Sequence, residues 1–162
     1  METNTQTIAA AGRYLTFNVG KECFGVDIGF VVEIIGVQTI TRIPEVPAYI
    51  KGIINLRGSI IPVIDMRMKF GLSEKEYGER TCIIVIDIGG LCAGIIVEGV
   101  SDVLDIKSGD IVPPPDNKSG AQNRYINGIA MQGDEVRLLI DCERLFDEDE
   151  TSGLEMAANA GA

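Results

Sequence analysis

The 162-residue chain contains no histidine. That removes the commonest general base and the commonest metal ligand. Its four cysteines, Cys23, Cys82, Cys92 and Cys142, form no CxxC pair, so no zinc set can be assembled from them. Each stands among apolar neighbours, as a small core residue in a reducing compartment does. No apolar run approaches the roughly 20 residues that span a bilayer. The polar first residues do not read as a secretory signal. A soluble cytoplasmic protein is expected. Basic residues are also few: 14 Lys and Arg stand against 24 Asp and Glu, for a net charge of −10. Residues 147–162 hold five of the acidic residues and no basic one, so the remaining body is only mildly acidic. A body of that charge argues against nucleic acid, which needs a concentrated basic face, and against docking on anionic lipid.

What the chain does have is isoleucine, valine and 19 glycines. β-Branched side chains pack well on a pleated surface, and glycines among them mark turns and bends. A mostly-β sandwich or barrel is the first expectation, in one domain or two small halves sharing one fold. Residues 1–12 are small and polar and read as a disordered tail. Arg13 to Val19 alternates as a half-buried strand, and Cys23 to Ile28 returns as the second strand of a hairpin. Val31 to Val37 is a third extended segment, in which Glu33 faces either solvent or a partner. Pro47 to Lys51 reads as a single helical turn that Gly52 closes in a left-handed conformation. Two strands, Ile53-Ile54 and Ser59 to Asp65, flank the Asn55-Leu56-Arg57-Gly58 turn. A short helix over Asp65 to Phe70 ends at Gly71, and the charged stretch 74–80 is a plausible boundary between halves.

Thr81 to Ile88 is a near-continuous apolar run, as in a strand buried on both faces. Gly89-Gly90 turns it back into Leu91 to Val97, and Gly99 to Leu104 continues the extended pattern. After the stiff Pro113-Pro114-Pro115 piece and a polar loop, Tyr125 to Gln132 and Glu135 to Ile140 form a last hairpin across Gly133-Asp134. Asp141 caps a final short helix that packs Cys142, Leu145 and Phe146 inward. Strands arriving about every ten residues suit paired small barrels.

No catalytic constellation emerges. Asp65 and Asp87 lie within strand patterns, where satisfying backbone donors near strand ends is the expected role. Ser119 has no partner residues, and the glycines at 89, 90 and 94 join strand to strand rather than strand to helix, unlike a phosphate loop. What remains are surfaces. Arg57 sits at a turn tip, where its planar fork is either solvated or bonded to a partner; the apolar Leu56 beside it favours a contact. Ile95-Ile96-Val97 and Val100 to Val103 offer one apolar face to a groove wall, or else belong to the core.

The segments YLTF, FGVDI, VVEIIG, TRIPEVPAYIKGIINLRGSIIPVIDMR, RTCIIVIDIGG, GIIVEGVSDVLDI, IVPPP and YINGIA, in that order, resemble the CheW-like domain family of chemotaxis coupling proteins. The resemblance runs from about Arg13 to Phe146. Its most specific part is KGxxNLRGxxxPVxDxR, matched by Lys51 to Arg67. The same module occurs as the regulatory domain of the chemotaxis histidine kinase CheA and, fused to a receiver, in CheV; this chain's length suits the free-standing form.

The resemblance implies two intertwined five-stranded SH3-like β-barrels with a few short helices. The C-terminal segment would return to the first barrel and the acidic tail 147–162 would be flexible. It implies an adaptor rather than an enzyme, with no cofactor and no metal, monomeric when free and placed at membrane receptor arrays through its partners. Those partners are the regulatory domain of CheA and the helical tip of a chemoreceptor. Val31, Glu33, Arg57, Val100 and Val103 match the family's receptor face. Thr41, Arg42 and Ile43 match its kinase contact. Gly52, Gly58 and Gly94 match positions of loop geometry. One departure concerns a second contact between barrels: Asn117 stands where the family often has an aromatic, which shifts that contact toward Ile111 and Val112. Other readings are a scaffold for a different kinase pathway and a small-ligand-binding barrel.

Overall fold

A computed structural model describes residues 9–114 and 125–145. The chain runs β1 (Gly12–Val19), β2 (Glu22–Asp27), β3 (Val31–Gly36), β4 (Ile50–Leu56), β5 (Ser59–Asp65), α1 (Met66–Lys69), β6 (Cys82–Ile88) and β7 (Leu91–Val97). It continues through β8 (Gly99–Ile106), β9 (Ile111–Val112), β10 (Ile126–Gln132), β11 (Glu135–Ile140) and α2 (Cys142–Leu145). The fold is mostly β, in two sheets with a few single-turn helices. One sheet has five strands in the order β3-β6-β7-β5-β4; the other has six, β8-β1-β2-β11-β10-β9, where the two-residue β9 adds one to the expected five.

The two sheets repeat one plan. In the five-stranded sheet the succession is β3, β4, β5, α1, β6, β7; in the other it is β8, β10, β11, α2 and then β1, β2. The pairings correspond throughout. β3 and β8 lie antiparallel to the first strand of a hairpin, and the second strand pairs in parallel with β5 or β11. The six-stranded sheet is therefore a circular permutation of the five-stranded one. Stretch 74–80 links α1 to β6 within the five-stranded sheet, whereas the chain changes sheets at the 3-10 turn Ile28–Phe30 and at Glu98. Sheet membership thus does not follow the expected division at 74–80.

Three apolar cores explain the sequence pattern. Ile84, Ile86 and Ile95 join Phe17, Phe24 and Tyr125 in the large core between the sheets. Ile83, Val85 and Ile96 pack with Ile54 and Val63 in a second core on the other face of the five-stranded sheet. Tyr14, Ile106, Ala130 and Leu139 form the third, on the six-stranded sheet. Successive residues of a strand point to opposite faces, so a strand lying between two cores is apolar at every position. This bears out the reading of Thr81 to Ile88.

The same arrangement corrects Arg13 to Val19, which is buried on both faces rather than one: Tyr14, Leu15, Thr16 and Phe17 are each at most 4% exposed. A bulge in the β1–β8 register falls at Thr16, whose hydroxyl donates to the Asp102 carbonyl and accepts from its amide, both at 3.0 Å. Ile95, Ile96 and Val97 are likewise core, each at most 3% exposed; Ile96 and Val97 also back a pocket beside Arg67, Tyr77 and Glu98. Residues 9–12, expected in the tail, are engaged: the Ala9 amide donates to Asn127 and the Ala10 carbonyl accepts from Tyr14. Pro115, the following loop with Asn117 and Ser119, Phe146 and the acidic tail lie outside the described residues.

Candidate functional site

The hairpin of β4 and β5 turns through Arg57 and Gly58, which both have positive φ, at 51° and 89°. A two-residue turn of this hand matches the twist of the flanking strands. The Asn55 side chain accepts from the Gly58 amide at 2.8 Å and holds it. Arg57 therefore stands at the tip with its side chain 69% exposed, and its guanidinium meets the Glu33 carboxylate. β3 and β4 are the outer strands of their sheet, so this ion pair bridges its two edges. Leu56, expected to present itself at the turn, instead ends β4 and packs inward with Ile54 and Ile61. Alternation decides this: a residue one step before the tip shares the face of Ile54.

Glu33 and Arg57 border a shallow groove with Val32, Ser59, Ile60 and Leu91. Val31 and Val100 are half-buried against the inter-sheet core, on β3 and β8 respectively. Val103, further along β8, is 50% exposed. Val32 and Ile34 on β3 are exposed as well. The structure thus brings Glu33 and Arg57 into contact and sets Val31 and Val100 at the border of one core.

Thr41 pairs with Ile53 through two backbone hydrogen bonds of 2.9 Å. This replaces the expected helix over Pro47 to Lys51: Ile50 already begins β4, and only a turn closed by the Ile50 amide and the Pro47 carbonyl precedes it. Gly52 has the positive φ expected of it, 147°, but within the strand, where a Cβ would lie 2.1 Å from the Thr41 carbonyl oxygen. Close backbone approach, rather than helix termination, is what requires glycine here. Gly94 has no positive φ; its constraint is space, with Ile83 and Val63 side chains 2.7 and 2.8 Å from a Cβ.

Arg42 and Ile43 line a cleft with Val46, Lys51, Met68 and Glu74. Lys51, only 12% exposed in its side chain, donates to the Glu74 carboxylate. That bond, and then the charge of Lys51, lowers the Glu74 pKa.

Two contacts were not apparent from sequence. Glu98, at the change of sheets, accepts from the Gly20 amide at 2.7 Å and from Arg67 at 2.9 Å. Burial opposes its charge, but these donors and Lys75 outweigh it and lower its pKa. Lys69 is 6% exposed and sits 4.1 Å from the Tyr49 ring centroid. Nothing in a short MRMK helix signals a buried lysine, because its aromatic partners come from distant segments.

The carboxylates singled out in strands serve the backbone. Asp65 caps α1, accepting from the amides of Arg67 and Met68, and Asp87 accepts from the Gly90 amide. The Tyr77 hydroxyl also donates to Asp65 at 3.2 Å; burial, then the Asp65 charge, raises its pKa. Burial raises the thiols of Cys23, Cys82, Cys92 and Cys142 alike, which weakens them as nucleophiles. Among the described residues, no group of three or more acidic or cysteine side chains is placed to hold a metal ion. No helix among them is long and apolar enough to cross a membrane.

Comparison with known proteins agrees with this geometry. The CheW-like domain model matches residues 13–150. The chain is 38% identical to the chemotaxis protein CheW of Klebsiella aerogenes over 147 residues, covering 91% of this chain and 89% of that one. It is 34% identical to that of Treponema pallidum, covering 86% and 85%. The crystal structure of the scaffolding protein CheW of Thermoanaerobacter tengcongensis superposes with a TM-score of 0.79 at 36% identity, over 86% of this chain and 95% of that one. With the family's motif laid out on the Arg57 hairpin and the match running through both sheets, this chain belongs to the CheW-like domain family of chemotaxis proteins.

Proposed function

We propose that the protein is a non-enzymatic adaptor that couples transmembrane chemoreceptors to the histidine kinase CheA in cytoplasmic signalling arrays. The observation that carries this reading is the Arg57 tip, paired to Glu33 beside a groove with apolar walls. A helical receptor tip laid across this face meets the polar rim at Glu33 and Arg57 and the apolar groove beside it. Val31, Val100 and Val103, outside that groove on β3 and β8, supply further apolar contacts. Thr41, Arg42 and Ile43 form a second contact face for the regulatory domain of the kinase, and Gly52, Gly58 and Gly94 keep the supporting backbone and packing in shape. Binding two partners at once lets a shift in one bias the other, and weak single contacts are reinforced by multivalency.

The test is a titration of wild-type protein and Arg57→Ala against a receptor-tip fragment and, separately, against the CheA regulatory domain. Wild type binding both, with the variant losing affinity for the receptor fragment alone, supports the two-faced adaptor. Wild type binding neither overturns it.

A further inference from the structure

The cleft beside Thr41 to Ile43 carries more cation than its own carboxylate can balance. Its floor is aliphatic, from Ile43, Val46, Ile50 and Met68. Its rim holds Lys51 and Arg42 against the single carboxylate of Glu74. Lys51 is largely buried and takes that carboxylate, whose side chain is 55% exposed. Arg42 acts on Glu74 only through space and, among the described residues, makes no hydrogen bond or ion pair of its own. A local excess of positive charge stands out on a chain of net charge −10. Leaving a largely buried ammonium unpaired is costly, whereas the identity of the carboxylate that pairs it is free to change. Glu74 comes from the stretch after α1, not from the strand that carries Lys51, so it can leave without disturbing the sheet.

We propose that this cleft receives an acidic segment of the partner, an aliphatic side chain beside an Asp or Glu, and that Glu74 is the internal carboxylate this segment displaces from Lys51. The incoming carboxylate bonds Lys51 and reaches Arg42, which has no competing partner to give up. The aliphatic side chain covers Ile43, Val46 and Met68. Glu74 thereby lowers affinity in the free protein and keeps Lys51 paired when no partner is present. This rests on the reading of residues 41–43 as the kinase-side face.

The experiment is a titration of full-length protein against the CheA regulatory domain at two salt concentrations. Four chains are compared: wild type, Glu74→Gln, Lys51→Gln and Glu76→Gln. Removing the competing carboxylate in Glu74→Gln tightens binding about fivefold, the effect of one exposed ion pair. Lys51→Gln weakens binding and flattens its salt dependence. Glu76→Gln removes the same charge from the same stretch without touching Lys51, and leaves affinity at the wild-type value. If wild type binds but Glu74→Gln binds no tighter, or Glu76→Gln tightens it equally, displacement of Glu74 is wrong while the kinase-side reading stands. If wild type does not bind, both fall.

Discussion

A Cβ atom on Gly52 would lie 2.1 Å from the carbonyl oxygen of Thr41 and 2.8 Å from its carbonyl carbon. Two strand segments pass at this point closer than any side chain permits, and the paired hydrogen bonds of Thr41 and Ile53 hold them there. The stretch offered as the kinase-side face is thus fixed to the sheet by one missing side chain.

Gly52→Ala is expected to cost about 3 kcal/mol or more, since backbone must move and a positive φ is strained for alanine. Gly94→Ala meets the γ-methyls of two buried β-branched side chains rather than backbone and costs about 1–3 kcal/mol. Gly58→Ala has open space and only the φ penalty, about 1 kcal/mol. Urea denaturation midpoints should rank in that order; Gly58→Ala proving the worst of the three would refute the steric account.

Arg57→Ala should leave stability within about 1 kcal/mol of wild type, because the ion pair is exposed at its arginine end. A fall of several degrees in melting temperature would mean that Arg57 closes the sheet edges rather than serving a partner.

Glu98 predicts an acid-sensitive contact between the sheets. Its folded pKa is lowered, so the contribution is complete above the unfolded glutamate value, about 4.3. It is lost as pH falls through the lower folded value. Stability measured between pH 3 and 7 should therefore drop at the acid end, and Glu98→Gln should be less stable at pH 7 with a shallower drop. An equal acid slope in both proteins would exclude Glu98 as the source.

Thiol alkylation should be slow at pH 7.5 in the native protein, with Cys142 last. Cys142 is 1% exposed and its thiol is raised by burial, then by Asp141. Mass spectrometry after timed iodoacetamide treatment reads the order; early modification of Cys142 would contradict its placement in the inter-sheet core.

Hairpins were legible because turn chemistry is local. Gly20, Gly89-Gly90 and Gly133 sit at positive φ where their neighbours in sequence demanded turns. Asp65 and Asp141 cap single-turn helices for the same local reason. The Arg57 tip and the positive φ of Gly52 were legible locally, although the local reading placed Gly52 at a helix end rather than within a strand. Composition set the fold class, since an Ile- and Val-rich chain with no long amphipathic stretch has sheets as its way to bury apolar surface.

Only tertiary structure decided which face each residue took and who its distant partner was. Period-two alternation assigns faces but cannot tell a core from solvent when both faces are covered, so the half-buried reading of Arg13 to Val19 failed on Tyr14 and Thr16. Strand order was equally hidden, because the parallel pairing of β2 with β11 joins residues more than a hundred positions apart. The pairings of Glu33 with Arg57, Lys51 with Glu74 and Gly20 with Glu98 belong to the same class. Sequence determined the turns, the caps and the β-rich class through interactions within a few residues. Long-range charge pairs and close backbone crossings depend on which sheets meet, and that is settled only when the chain packs.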